Sequence, residues 1–155
     1  MPHSLLKPTL LFLASLTVIS GAAISPALPQ MHDAFKDLPQ ADLLVRLVLT
    51  IPALFIAILA PLAGLMIDRF GRKPMLIISL TLYGIAGTSG LFLDSLTHLL
   101  IARAFHGVAI AGLMPAVTTL VADYFTGEER NRFMGQQSAF MALGGMVFII
   151  VGGWL

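Results

Sequence analysis

The chain has 155 residues, of which 57% are hydrophobic and 11% charged, with a mean hydropathy of +0.92. Too few polar side chains remain to cover a water-soluble surface, so the composition places the chain in a bilayer and argues against a soluble enzyme or a nucleic-acid binder. Cysteine is absent, which excludes a disulfide framework and a thiolate metal site, and the net charge of +1 is informative only through its distribution.

Five stretches free of Asp, Glu, Lys and Arg run from Pro8 to His32, Leu47 to Ile67, Pro74 to Leu93, Ala104 to Ala122 and Phe133 to Leu155. Crossing a hydrocarbon core of about 30 Å takes roughly 20 helical residues, so each is read as a span, over approximately 9–28, 43–67, 75–93, 97–125 and 133–155. If the spans alternate, Lys7, Arg69, Arg72, Lys73, Arg130 and Arg132 share one side, and only Lys36 and Arg46 the other. That bias predicts a cytoplasmic amino terminus. The first apolar run is too long for a secretory leader and is followed at once by further spans, so an uncleaved first helix is expected.

In chain order, the outer half of the first helix carries Gly21, Ala22, Ala23 and Ser25 before Pro26 and Pro29. Small residues let neighbouring backbones approach, and the prolines break the helix. Residues 32–46 mix Asp33, Lys36, Asp37, Asp42 and Arg46, the pattern of a short solvated outer loop. The second helix holds Pro52 and Pro61, each of which removes a backbone donor.

Between the second and third spans stands Gly64–Leu76, GLMIDRFGRKPML. Gly71 suits a turn requiring φ > 0, Arg72 and Lys73 stay in water beside the headgroups, and Pro74 fits the first turn of a new helix. Asp68, acidic where a helix leaves the hydrocarbon, exceeds what orientation requires and implies a partner. The third helix has Tyr83 as its one ionisable group and reads as packing against lipid and sibling helices. A very short turn at 94–98 makes the third and fourth helices antiparallel neighbours.

The fourth helix carries Arg103, His106 and Gly107. An arginine one and a half turns inside a span is expensive unless it faces protein or water, the alternative being an anchor that snorkels to the headgroups. Gly107 with Ala111 forms a small-xxx-small packing groove. His106 is read as a hydrogen-bonding polar group rather than a proton carrier. Asp123 closes the helix on the side of the Gly71 turn, where it can meet Arg72. In the following TGEERNR, Thr126 and Glu129 have the spacing of a capping box. The fifth helix brings Gly144, Gly145, Gly152 and Gly153, read as packing glycines.

Gly64, Asp68, Arg69, Gly71, Arg72 and Lys73 resemble the signature loop between the second and third helices of the major facilitator superfamily, G-x-L-a-D-r-x-G-r-k. The run LLIARAFHGVAIAG resembles the fourth-helix pattern l-x-x-x-R-x-x-q-G-x-g, with His106 in place of the usual glutamine, and SPALP resembles the first-helix ending of the drug:proton antiporter branch. Phe148 and Ile149 stand where that branch has a glycine-proline pair, although Gly152, Gly153 and Trp154 agree.

The resemblance implies an all-α membrane protein: about five helices of the amino-terminal six-helix half of a transporter built from two such halves. It also implies a gating latch of the loop residues with Asp123, and a role in proton coupling or cavity lining for Arg103, His106 and Gly107. The expected partners are the lipid bilayer, a small-molecule substrate and the missing carboxy-terminal half, in a bacterial inner membrane. No bound cofactor is expected, a proton gradient supplying the energy.

The function so implied is proton-coupled efflux of small hydrophobic drugs or metabolites by alternating access. Two alternatives stand beside it: a facilitator or nutrient importer of the same fold, and a truncated, non-transporting membrane protein acting through a partner. His3, His32, His98 and His106 are scattered without zinc spacing, and no catalytic setting is recognisable, so neither a metal site nor an enzyme is expected.

Overall fold

A computed structural model describes residues 3–37, 39–89 and 95–154. Among them the chain is helical: α1 (His3–Ala22), a 3-10 turn (Ser25–Ala27), α2 (Leu28–Phe35), α3 (Ala41–Phe70), α4 (Arg72–Ser89), α5 (Leu96–Tyr124) and α6 (Gly127–Trp154). Four stretches are long and apolar enough to cross a membrane: Leu5–Phe35, Ala41–Phe70, Leu96–Tyr124 and Gly127–Val151. The expected third span corresponds to α4, 18 residues long, and its outer end at 90–93 lies outside the described residues. Composition and helix length together make this an integral membrane protein of all-α class.

The prolines of SPALP do break the first span. α1 ends at Ala22, and Pro26 and Pro29 each sit at the start of a new helical element, where a missing N–H costs nothing. Residues 28–35, part of which was expected in a solvated loop, form α2 instead. Its Leu28, Met31 and Phe35 pack with Val45, Val48 and Leu96, and His32 Nε2 lies 2.8 Å from Asp42 Oδ1. Apolar residues at helical spacing among the charges made burial of one face more favourable than solvation of all of it. α3 is entered through Gln40 at φ 63°, the one non-glycine residue with positive φ among those described. It continues as a helix through Pro52 and Pro61.

α3 stops at Gly71, whose φ of 90° and N–H bond to the Ile67 carbonyl close the helix as the sequence suggested. α4 starts at the next residue, with Pro74 in its first turn. α5 is the central helix: it packs on α3, α4 and α1, while α6 packs on α1. Leu113, Ala116 and Val117 of α5 are 0–2% exposed. α6, by contrast, presents Leu143, Met146, Ile150 and Trp154 outward, an apolar face that suits hydrocarbon and not water.

The end of the bundle carrying the Gly71 turn is closed by Leu10 and Leu13 of α1, Val121 of α5, Phe125 and Phe133. The Phe125 and Phe133 rings stack at 4.7 Å, and Lys7 Nζ lies 5.4 Å over the Phe125 ring. The expected capping box does not form among the described residues. Glu129 instead accepts a 2.8 Å bond from Lys7 Nζ, a full-charge partner that outcompetes a backbone N–H, and α6 begins directly at Gly127.

Of the glycines read as packing positions, Gly145 lies tight against α1, where a Cβ would meet Val18 Cγ1 at 3.3 Å; a Cβ at Gly144 would meet Ser15 Cβ at 3.7 Å and one at Gly153 would meet Pro26 Cβ of the 3-10 turn at 3.9 Å, both ordinary contacts. At Gly21 a Cβ meets nothing within 4 Å. The surroundings of Gly152 lie outside the described residues.

Candidate functional site

Two groups of residues are candidates, one at the Gly71 end and one inside the bundle. At the Gly71 end, Arg72 on the first turn of α4 and Asp123 on the last turn of α5 form an ion pair through Nη1 and Oδ2. Both helices begin or end there because Gly71 and Phe125 terminate the preceding elements. The pair is part-exposed, with 43% and 33% of the side chains accessible, so its worth to stability is modest. Asp68, one turn earlier on α3, is exposed and forms no ion pair among the described residues. Arg69 lies over the Phe70 ring at 5.6 Å, and Lys73 is exposed. A Cβ at Gly64 meets nothing within 4 Å. The structure thus brings together Arg72 and Asp123 and leaves Asp68 facing outward with its charge uncompensated.

The second group surrounds Arg103. Leu96 starts α5, so Arg103 sits seven residues, or about 10 Å at 1.5 Å per residue, inside the helix. It is half-buried rather than splayed toward the helix end. Its Nη1 donates to Ser20 Oγ of α1 at 3.3 Å, which argues for a side chain turned into the bundle and against a headgroup anchor. Arg103 and Ser20 line two adjoining spaces. One, of about 460 Å³, is walled by Ile24, Met31, Phe35, Tyr83, Leu99 and His106 among others. The other, of about 150 Å³, lies against Val48, Pro52, Ile56 and Ile110.

Tyr83 of α4 donates its hydroxyl to the Leu16 carbonyl of α1 at 2.7 Å, and its ring stands 4.3 Å from that of His106 at 59°. His106 is 4% exposed, and neither ring nitrogen has a hydrogen-bond partner among the described residues. The hydrogen-bonding role expected for His106 is therefore not realised; the ring packs as an aromatic against Tyr83. An unsatisfied buried polar group costs about 1–3 kcal/mol, and sites that carry such a cost are often functional.

Gly107 brings α5 tight against α3. A Cβ there would come 2.6 Å from the Pro52 carbonyl oxygen, 2.8 Å from Pro52 Cα and 2.9 Å from Phe55 Cβ, so α5 and α3 touch backbone to backbone at this point. Gly112 lies against the Ser79 side chain of α4, and sequence reasoning missed it. It missed Ser20 and Tyr83 as well. The available signal was Tyr83 as the single titratable side chain in an otherwise apolar span.

A family model described as Major Facilitator Superfamily matches residues 10–155. Among characterised proteins, the chain is 40% identical over 101 residues to Multidrug resistance protein 2 of Bacillus subtilis, covering 63% of this chain and 24% of that protein. It is 35% identical over 92 residues to the Niacin transporter NiaP of Acinetobacter baylyi, covering 59% of this chain and 21% of that protein. With Multi-drug resistance efflux pump PmrA of Streptococcus pneumoniae it shares 27% identity over 146 residues, covering 88% of this chain and 35% of that protein. The chain thus spans about a third or less of the length of these relatives.

Proposed function

The chain belongs to the major facilitator superfamily, and from that premise we propose that it forms part of a secondary transporter that exports small hydrophobic drugs or metabolites at the expense of a proton gradient, in a bacterial inner membrane with its amino terminus in the cytoplasm. The observation that carries the reading is Arg103, a cation held about 10 Å inside a span and lining a cavity among apolar walls. Ionisable residues inside spans mark substrate or ion pathways among their commonest uses, which favours a transport role for this one. The relatives named as a multidrug resistance protein and a multidrug resistance efflux pump support efflux of drugs.

In this reading the two halves of the transporter rock about a midplane site, and Asp68, Arg72 and Asp123, with Gly64, Arg69, Gly71 and Lys73 shaping the turn, belong to a latch that holds the cytoplasmic side shut. Asp68, exposed and without an ion pair among the described residues, supplies the charge that a cation elsewhere in the whole transporter would meet. Arg103, His106 and Gly107 line or brace the cavity. The test is Asp68→Asn in the full-length protein, assayed by flux into inverted vesicles. Transport should fall while membrane insertion is kept, and unchanged flux refutes the latch.

A second reading, a facilitator or importer of the same fold, draws on Phe148 and Ile149 replacing the antiporter glycine-proline pair and on the relative named as a niacin transporter. Imposing a pH gradient on loaded vesicles separates the two: a uniporter is indifferent to the gradient, an antiporter is driven by it.

A further inference from the structure

The eight acidic residues of the chain are Asp33, Asp37, Asp42, Asp68, Asp94, Asp123, Glu128 and Glu129. None falls within the apolar interior of a span. Arg103 does, and among the described residues it forms no ion pair; its one recorded hydrogen bond is to the neutral Ser20 hydroxyl at 3.3 Å. A guanidinium carries five donors and is not deprotonated in proteins, so most of its hydrogen-bonding capacity is left unspent by the described residues. Such a charge is tolerated when an anion completes it.

The surroundings specify the rest of that anion. The 460 Å³ space at Arg103 is bounded by Ile19, Ile24, Met31, Phe35, Leu99 and the Tyr83 ring, with Ser20, Arg103 and His106 as its polar lining. Its volume is within the range of sites for compact organic molecules, roughly 300–1,000 Å³. α2 closes it from the outer end through Met31 and Phe35. A planar fork favours a planar, two-oxygen partner, since a carboxylate accepts two parallel N–H bonds.

We propose that this cavity binds a carboxylate with an apolar, ring-sized body, the carboxylate on Arg103 beside Ser20 and the body against Phe35, Met31 and Tyr83. This deepens the transport reading and rests on it for the ligand being a cargo, but binding is measured without transport. The probe is 2-naphthoate, titrated calorimetrically into the purified protein in phosphatidylcholine nanodiscs. Its neutral and cationic counterparts, 2-naphthamide and 2-naphthylmethylammonium, are run alongside.

The acid should bind saturably and at least tenfold more tightly than the amide, with the ammonium compound weakest. Arg103→Gln should erase the preference for acid over amide, and Arg103→Lys, which keeps the charge but loses the fork, should retain part of it. Phe35→Ala should weaken acid and amide alike. Circular dichroism identifies any variant that has not folded, and Arg103→Lys together with the three-probe series on the unmodified protein decides the matter if Arg103→Gln does not fold. Equal binding of the three probes, no saturable binding of the acid, or a preference that survives in Arg103→Gln overturns the proposal. Saturable acid binding with no flux in vesicles would instead refute the transporter reading and leave the site standing.

Discussion

Replacing Gly107 by alanine tests the backbone contact between α3 and α5. The added Cβ would stand 2.6 Å from the Pro52 oxygen, 2.8 Å from Pro52 Cα and 2.9 Å from Phe55 Cβ, and two of those atoms are backbone that no rotamer change can move. Tight but tolerated contacts begin near 3.0 Å and ordinary ones at 3.4 Å, so the helices must part locally by up to about 0.8 Å, the difference between 3.4 and 2.6 Å. Gaps of 0.5–1 Å forfeit about a quarter to a half of each dispersion contact, and overpacking of this kind costs about 1–3 kcal/mol. In hydrocarbon there is no water-driven term to press the helices back together.

The control is Gly84→Ala, where a Cβ meets nothing within 4 Å and the helical preference of alanine contributes up to about 1 kcal/mol in the opposite direction. The same helical preference acts at Gly107, so in thermal unfolding of the two variants in the same detergent, followed by circular dichroism, the overpacking cost alone separates them and Gly107→Ala should melt below Gly84→Ala. At roughly 2–4 °C per kcal/mol for a chain of about this size, the separation should be several degrees. Coincident melting curves for Gly107→Ala and Gly84→Ala would refute the inference that α3 and α5 are held at backbone contact.

Tyr83→Phe removes the 2.7 Å bond to the Leu16 carbonyl and should destabilise the fold by about 0.5–1.5 kcal/mol, read as a lowered midpoint in the same assay. Asp123→Asn breaks the pair with Arg72; because both side chains are part-exposed, the loss should be no more than about 1 kcal/mol and should shrink as salt is raised. The charge swap Arg72→Asp with Asp123→Arg should recover most of it. Since the chain has no cysteine, Lys73→Cys gives a single reactive thiol in the turn after Gly71; in intact cells it should resist an impermeant maleimide and label only after permeabilisation. Labelling from outside would overturn the cytoplasmic placement of that turn, and with it the latch.

How much was legible depended on whether the governing force is local. The turn at Gly71 was readable because a helix stop between charged residues and oily runs calls for positive φ, which glycine adopts without strain, and φ at Gly71 is 90°. The break at Pro26 and Pro29 was readable for a similar reason: proline acts on its own backbone. Among the packing glycines, sequence could not separate Gly145, 3.3 Å from Val18 when given a Cβ, from Gly21, which faces open space, because both sit at helical positions and the difference lies in which neighbour arrives.

By itself, then, the sequence determined that the chain is a set of apolar helices with charged turns, and that an arginine and a histidine lie within the fourth span. The resemblance of its motifs to the major facilitator superfamily agrees with the family model that matches residues 10–155. The tertiary structure alone decided that residues 28–35 fold as a helix packed on α3 and the start of α5, that Glu129 is taken by Lys7 instead of capping α6, and that Ser20 and Tyr83 from two other helices join Arg103 and His106 around one cavity. Hydropathy and backbone preference are properties of a segment and can be read along the chain. The partner of a buried polar group is set by how helices dock, and that depends on shape complementarity between residues as far apart in sequence as Ser20 and Arg103.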